Sequence, residues 1–402
     1  MLIRYKKARN GSNVPIAQVY TAKEHGIDPK NIDLDAIWAV KKLKQSGAEA
    51  YIVGGAVRDL LLNHKPKDFD ISTSATPRQV QKIFWNARII GKRFKLVHLV
   101  FKDKILEVSS FRSGEEDPEN PLSIYGTVEQ DAKRRDFTIN SLFYDPTDGQ
   151  LLDFNNAMLD FKRKRVRSVI PLSTSFIEDP VRMIRAIKYA IVTGFSLQFD
   201  IRRAIKKNMT ELARISDSRL TEEVSKILCS GQSAAIMAEL HRYKLLVYLL
   251  PCISVYNPIK EVFDSLRKLD EVVMGHNEKG EESCLETLKG EMLAALVEPV
   301  VRPVPSEYPV EEIFKETYGQ IKTLLSPITP PNYDVEQATV LILKNIGIDV
   351  PKNCLRARVP LKQYGRMRAR ATGPRRGRRP NSATAKPKTK KRKSKPKEQA
   401  KP

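Results

Sequence analysis

The chain has 402 residues, 41% of them apolar, which is enough for two to four compact units with real cores. Its formal charge of +23 is uneven: residues 361–402 hold 17 Lys and Arg against one acid, Glu398, whereas the preceding 360 residues hold 53 against 46. That excess calls for a polyanionic partner, nucleic acid rather than membrane, because no amphipathic basic stretch with an aromatic or leucine face accompanies it and the longest apolar run, 245–256, contains Pro251 and is too short to cross a bilayer.

In chain order, residues 1–30 are polar with no clear period and read as an extended lead-in, and the basic N-terminus is followed by no apolar core of a secretory signal. A helix is expected from Asp33, with Leu34, Ile37, Trp38 and Leu43 on one stripe and Gly47 as its stop. Ala50 to Val53 reads as a strand running into Gly54-Gly55, and 69–72 as a second strand. Thr76-Pro77-Arg78-Gln79 has the residues of a capping box with proline at the first helical position. The β-rich runs 94–101 and 105–111, joined at Lys102-Asp103-Lys104, form a hairpin pattern. From Ile177 onward the period is helical, so the fold class is α+β: a β-sheet head followed by an all-α remainder. The expected units are a lead-in at 1–30, a head at 31–160, a helical neck at 161–230, a helical body at 231–357 and a basic tail at 358–402. Residues 275–290 read as an acidic surface insertion, and four prolines within 299–309 must interrupt any helix. The tail has almost no large apolar residues and is expected to stay disordered until it meets a partner. Cys229, Cys252, Cys284 and Cys354 are far apart and outside metal spacing, and read as reduced thiols of a cytoplasmic protein.

Three constellations carry chemistry. Asp68-Phe69-Asp70 follows Gly54-Gly55 by 13 residues, and on a strand its two carboxylates would share one face with Phe69 packed behind. Two such carboxylates repel unless cations lie between them; a pair of Mg²⁺ ions would satisfy them and could clamp the attacking and leaving oxygens of a phosphoryl transfer. A bare Asp-x-Asp is also the pattern of a solvated strand end; the paired glycines, which let backbone N–H groups approach a triphosphate that Arg58 could neutralise, favour the first reading. Glu107, among Ile105, Leu106 and Val108, either faces solvent or completes a three-carboxylate pocket. In the second constellation, Arg134 to Asn140, the cap of a helix start competes with a functional reading: Arg135 for phosphates, Asn140 or Asp136 for a ribose hydroxyl, Asp136 for orienting the reacting end. In the third, Asp179, Arg182 and Arg185 are spaced three apart, either as a salt-bridged surface or as a rigid face that offers donors and acceptors to a base edge.

The stretches GGAVRDLLLNHKPKDFDISTSATP, RRDFTINSLFYD and EDPVRMIRAIKYA, in this order between about Ala50 and Pro251, resemble the successive motifs of the class II nucleotidyltransferase superfamily, which contains bacterial poly(A) polymerases and tRNA CCA-adding enzymes. The resemblance implies a nucleotidyltransferase sheet head with helical neck and body. It makes Asp68 and Asp70 ligands of two Mg²⁺ ions, with Mn²⁺ as a substitute, and gives the triphosphate to Gly55 and Arg58. It also implies a sugar and phosphate motif at Arg135 and Asp136, with Asp136 competing with Glu107 as third catalytic acid, and a nucleotide-selecting face of Asp179, Arg182 and Arg185, with Lys188 where an arginine is common. The activity implied is addition of AMP from ATP to the 3′ ends of mRNA or other transcripts. CCA addition to tRNA is the nearest alternative, and a non-catalytic RNA-binding protein of the same fold a third. Ile89 to His98 is similar to the block that sets bacterial poly(A) polymerases apart, as is the basic tail, and the intact Asp68, Asp70, Arg58, Arg135 and Arg182 stand against a decayed site. Two departures are Asn63, where the superfamily commonly has a glycine, and Asn156-Ala157, where it usually has a glycine pair linked to switching between CTP and ATP.

Overall fold

A nine-stranded sheet organises the first part of the chain in the computed structural model, which describes residues 1–8, 11–91, 96–102, 104–114, 124–278, 284–302 and 304–355. The strands are β1 Leu2–Lys7, β2 Asn13–Tyr20, β3 Ala50–Val53, β4 Asp70–Thr73, β5 Ala87–Ile90, β6 Leu96–Val100, β7 Ile105–Ser110, β8 Leu142–Asp145 and β9 Gln150–Asp153. They lie in the order β1-β2-β9-β8-β3-β4-β7-β6-β5. All neighbours are antiparallel except β4 and β7, which run parallel and set Asp70 beside Glu107. The four residues of β3 are all buried, as a strand covered on both faces requires.

Residues 1–30, expected as a lead-in, are part of this sheet: β1 and β2 pair, and β2 joins β9 through Gln18 and Asp153. Only Ala17 and Val19 of β2 are buried, too few for a period-2 signal. The helix Leu34–Gln45 starts at Asp33, whose carboxylate accepts from the N–H groups of Asp35 and Ala36. Its inward stripe is Ala36, Ala39, Val40 and Leu43, whereas Leu34 and Trp38 are exposed, contrary to the expected stripe. Two alanines at helical spacing bring the axis close to the sheet, and counting only bulky residues mis-set the phase. Thr76 and Gln79 form the expected capping box for the helix Pro77–Ile83, and β6 and β7 the expected hairpin.

Among the described residues after β9 the regular structure is helical apart from the short pair Arg165–Val166 and Ser196–Leu197. Phe137 and Ile139, from the segment before β8, are fully buried in the helical core with Met183, Ile184 and Ile187 of the helix Val181–Thr193. The motif between them is therefore held by sheet and helices at once. Cys229 and Cys284, expected as reduced thiols, form a disulfide with their Cα atoms 6.0 Å apart. Their separation of 55 residues hid this; packing of the turn after the helix Asp217–Leu228 against the helix Cys284–Thr287 brings them together. Cys252 and Cys354 take no part in that disulfide. Part of the acidic insertion and the tail from residue 358 lie outside the described residues. By compactness the chain divides into 1–351 and 352–402, and what is described of the second unit is the single turn Lys352–Cys354 and its neighbour Leu355. Among the described residues no helix is long and apolar enough to cross a membrane.

Candidate active site

The site begins at the turn after β3. Gly54 has φ +71° and ψ −132°, a conformation that a residue with a Cβ rarely adopts, and it ends β3 beside Asp70, the register partner of Val53. A Cβ on Gly54 would lie 3.7 Å from Arg135 Nη1 and 3.8 Å from Asp70 Oδ2, so this bare backbone lies next to both a cation and an acid. Gly55 opens the helix Gly55–Leu61, and a Cβ there would meet the guanidinium of Arg58 at 3.5 Å.

Asp68 does not lie on a strand. It stands two residues ahead of β4, so the alternation that would align it with Asp70 does not apply; Phe69 between them is buried as expected. Asp70 is the first residue of β4, reached by solvent yet walled by protein, and this burial with the charges of Glu107 and Asp68 pushes its carboxyl up to about 6. Glu107 faces the same side as Asp70, because directly paired residues of adjacent strands do so, and its side chain is 49% exposed. His98 of β6 extends the row, its Nε2 lying 3.5 Å from Glu107 Oε1. Among the described residues no three or more His, Cys, Asp or Glu side chains close round a common point as a metal cage. Apart from His98 Nε2, the ligand atoms of this row are the carboxylate oxygens of Asp68, Asp70 and Glu107, and they repel one another.

Arg135 has three anchors: Nη2 donates to Asp131 Oδ2 at 2.9 Å, Nη1 to the Asn140 carbonyl at 3.3 Å, and the guanidinium lies 4.8 Å from the centre of the Phe143 ring. Its Nε is buried without a hydrogen-bond partner among the described residues. Arg58 donates to Asn140 Oδ1 at 3.0 Å and to Asp59 at 2.9 Å, and its guanidinium stands 5.1 Å from the Tyr189 ring. Asn140 Nδ2 in turn donates to Asp136 Oδ1 at 3.3 Å, and Asp136 Oδ2 lies 3.9 Å from Arg185 Nη1. Asp136 thus joins the sheet side to the neck helix, while the acids whose charges raise Asp70 are Glu107 and Asp68.

The third constellation is corrected in one respect. Asp179 precedes the helix Val181–Thr193 with φ −142°, because the residue before Pro180 is barred from helical conformation, so it is not part of one helical face with Arg182 and Arg185. It pairs with Arg219 at 3.0 Å. Arg182 donates to the Ser175 carbonyl at 3.0 Å and lies 3.6 Å from Glu178. Arg185 and Lys188 both pair with Glu223, at 2.8 and 3.0 Å. Burial penalises the charge on Glu223, but Lys188 and Arg185 outweigh it and hold its carboxyl below the usual range. Burial of Lys188 is only partly offset by Glu223, and its ammonium is pushed down.

Four contributors escaped the sequence reading: Asp131, Glu223, Tyr189 and Lys226, the last close enough to Asp70 to favour its charged form. Asp131 in QDAKRRD precedes Arg134 and Arg135 by three and four residues, a helical spacing that could have signalled it. Nothing in the sequence ties Glu223 to Arg185. The two departures fit their places: Asn63 has φ 57° and Asn156 φ 56°, the left-handed region that asparagine tolerates.

Residues 50–167 match the family described as the poly A polymerase head domain, and residues 194–256 the family described as "Probable RNA and SrmB- binding site of polymerase A". Poly(A) polymerase I of Haemophilus influenzae is 38% identical over 257 residues, 60% of this chain and 57% of the relative. The CCA-adding enzyme of Geobacillus stearothermophilus is 38% identical over 219 residues, 54% of each chain. The chain therefore spans little more than half the length of these curated relatives. Among solved structures, a tRNA nucleotidyltransferase complexed with a primer tRNA and an incoming ATP analog superposes with a TM-score of 0.54 at 24% identity, covering 83% of this chain and 91% of that one. The Bacillus stearothermophilus CCA-adding enzyme in complex with CTP gives 0.50 at 24% identity, covering 84% and 92%. These two show the fold: a nucleotidyltransferase sheet head followed by helices.

Proposed function

We propose, from the match of residues 50–167 to the poly A polymerase head domain, that this chain is an RNA 3′-end nucleotidyltransferase that adds AMP from ATP. The observation that carries the proposal is the mouth at the end of β3. There Asp70, Glu107 and Asp68 crowd like charges next to Gly54, and Arg135 and Arg58 stand at its glycine backbone. Polyadenylation is favoured over CCA addition because the match to poly(A) polymerase I extends over more of the chain, 257 residues against 219.

In this reading Asp68 and Asp70 hold divalent ions. The donors fit: hard oxygen ligands whose mutual repulsion a cation relieves, and Mg²⁺ is commonly held by one or two carboxylates, with water and substrate phosphates completing its shell. That accords with the lack of a closed protein cage among the described residues. When bound, such ions supply positive charge at the attacking and leaving oxygens. Arg135, whose Nη1 faces Gly54, brings positive charge to the triphosphate, and the backbone of Gly54 and Gly55 permits close approach. Asn140 and Asp136, already joined, orient the ribose. Arg182, with Asp179 nearby, reads the base edge, and Arg185 is held in place by Glu223.

The test is primer extension on single-stranded RNA with each NTP separately, in Mg²⁺ and in EDTA. Ladders with ATP alone, lost in EDTA and in Asp70→Ala, are expected. Arrest after C, C and A on a tRNA lacking its end would give the activity to the alternative, and more than a few per cent of wild-type transfer by Asp70→Ala would remove that acid from the site.

A further inference from the structure

The candidate contacts for the triphosphate, Gly54, Gly55, Arg58 and Arg135, gather at the end of β3, on one side of Asp70. Phosphoryl transfer is in line: the attacking oxygen reaches phosphorus from the side opposite the leaving oxygen. With the leaving pyrophosphate beside β3, the attacking 3′ end has to arrive from the other side of Asp70, where the sheet continues as β7, β6 and β5.

On that side a row of directly paired residues crosses the sheet: Asp70 with Glu107, Glu107 with His98, and His98 with Arg88. Paired residues share a face, and three strand spacings of about 4.8 Å put Arg88 about 14 Å from Asp70, at the free edge. The opposite face of these strands is filled, since Val97, Leu99, Leu106 and Val108 lie in the core. The face of the row is open: Arg88, Ile90 and Ile105 are exposed and Glu107 is 49% exposed. His98 is already matched by Glu107 at 3.5 Å, whereas Arg88 takes part in no ion pair among the described residues. Residues 71–102 contain no Asp or Glu, and Arg78, Lys82 and Arg88 within them are exposed. Trp85, in the turn that leads into β5, is 89% exposed.

We propose that the open face of β5, β6 and β7 carries the 3′-terminal stretch of the primer RNA into the site, with Arg88 on a phosphate upstream of the terminal nucleotide and Trp85 stacked on a base beyond it. The proposal rests on the transferase reading above and adds the side from which the primer enters. Charge complementarity selects a nucleic acid: the edge has exposed cations, no acid of its own and an uncovered indole. A single strand suits it, because phosphates take the cations and any base can stack on the ring. Glu107 shares the face, but at its inner end beside Asp70, where the divalent ions of the proposed reaction offset it. The sign of charge thus changes along the row, acids at the reacting end and a cation where the strand enters.

The test measures extension of single-stranded oligo(A), oligo(C) and oligo(U) with ATP by the full chain, beside Arg88→Ala, Arg88→Glu and Trp85→Phe, each checked by thermal melting. Arg88→Ala is expected to raise the KM for every primer about tenfold, the loss of one hydrogen bond to a charged group, and to leave the KM for ATP unchanged. Arg88→Glu should raise the primer KM further. The slope of log primer affinity against log salt should flatten by about 0.7 in Arg88→Ala, the share of one phosphate contact. Titration with oligo(A) without ATP should quench the tryptophan emission of the wild type, and Trp85→Phe should remove most of that quench. The other indole, Trp38, is 38% exposed and packs against Phe84 and Phe101. The quench compares the wild type with Trp85→Phe alone, so it reads the face even if a change at Arg88 upsets β5. An unaltered primer KM in both Arg88 variants, or an unaltered quench in Trp85→Phe, would overturn the proposal and leave the transferase reading standing. A rise in the KM for ATP instead of the primer would put Arg88 on the triphosphate and overturn it likewise. No transfer by the wild type on any primer would overturn the transferase reading, and this proposal with it.

Discussion

Replacing Asp131 by asparagine removes one negative charge from the interior and leaves the volume almost unchanged. The carboxylate is 0% exposed and accepts from Arg134 Nη2 at 2.7 Å, Arg134 Nε at 2.9 Å, Arg135 Nη2 at 2.9 Å, Ser72 Oγ at 3.3 Å and the Arg112 N–H at 3.2 Å. An amide keeps one acceptor oxygen and turns the other position into a donor that faces a guanidinium. Breaking a buried pair by removing one partner costs about 3–5 kcal/mol, and Arg134 is part exposed, so the lower end, about 3 kcal/mol, is expected. That is about a hundredfold in the folding equilibrium, at about 1.4 kcal/mol per tenfold. Urea unfolding of the full chain at pH 7 measures it. Burial opposes ionisation of Asp131, but Arg135 and Arg134 outweigh it and hold the carboxyl below its usual range. A carboxyl depressed in the folded state stabilises above its unfolded pKa of about 3.9 and loses that contribution as pH falls through the folded value, so the deficit of Asp131→Asn should shrink below about pH 4. In activity, a freed Arg135 should raise the KM for ATP more than it lowers kcat. A deficit under about 1 kcal/mol at pH 7, or one that persists unchanged at pH 3, would refute the ion-pair account.

Two further outcomes can be measured with the same protein. Glu107→Gln, in the row with Asp70, should lower kcat at saturating ATP about a hundredfold, whereas Asp136→Asn, which meets Asn140 and Arg185, should act mainly on the KM for ATP; the reverse pattern would make Asp136 the third acid. Deleting residues 361–402 removes 17 cations, and if six of them contact single-stranded RNA the slope of log affinity against log salt should flatten by about 4, at about −0.7 per contact, with turnover at saturating primer within about threefold; an unchanged slope would show that grip on RNA belongs to the helices.

Much of the head was legible because its signals are local. The apolar run of β3, the capping box at Thr76 and the hairpin of β6 and β7 are each complete within 15 residues, and all three stand in the structure. Phase and pairing were harder. The helix after Asp33 turns small alanines inward and leaves Trp38 part exposed, which residue size alone does not suggest. The N-terminal strands depend on β9, more than 130 residues away, for their place. Glu107 could be assigned a side only once β4 and β7 were known to run parallel in register.

The buried acids were illegible for a different reason. A lone Asp or Glu in an amphipathic helix reads as solvated, and what makes Asp131 and Glu223 structural is the cations that arrive from elsewhere in sequence or space. Glu223 meets Arg185 and Lys188 across 38 and 35 residues. The consequence bears on how a nucleotide could be chosen without a template. Free arginine and lysine side chains each lose up to about 2 kcal/mol of rotamer freedom when a ligand orders them, a cost that weakens discrimination between bases because all of them incur it. Here Arg182 is already held by the Ser175 carbonyl, Arg185 by Glu223, and Arg58 by Asn140 and the Tyr189 ring. Folding has ordered these cations before any nucleotide arrives, so in the proposed reaction a mismatched base meets donors that cannot readily turn to suit it. On that proposal selectivity rests on rigidity, and Glu223, far from every motif in sequence, bears on base choice through its hold on Arg185.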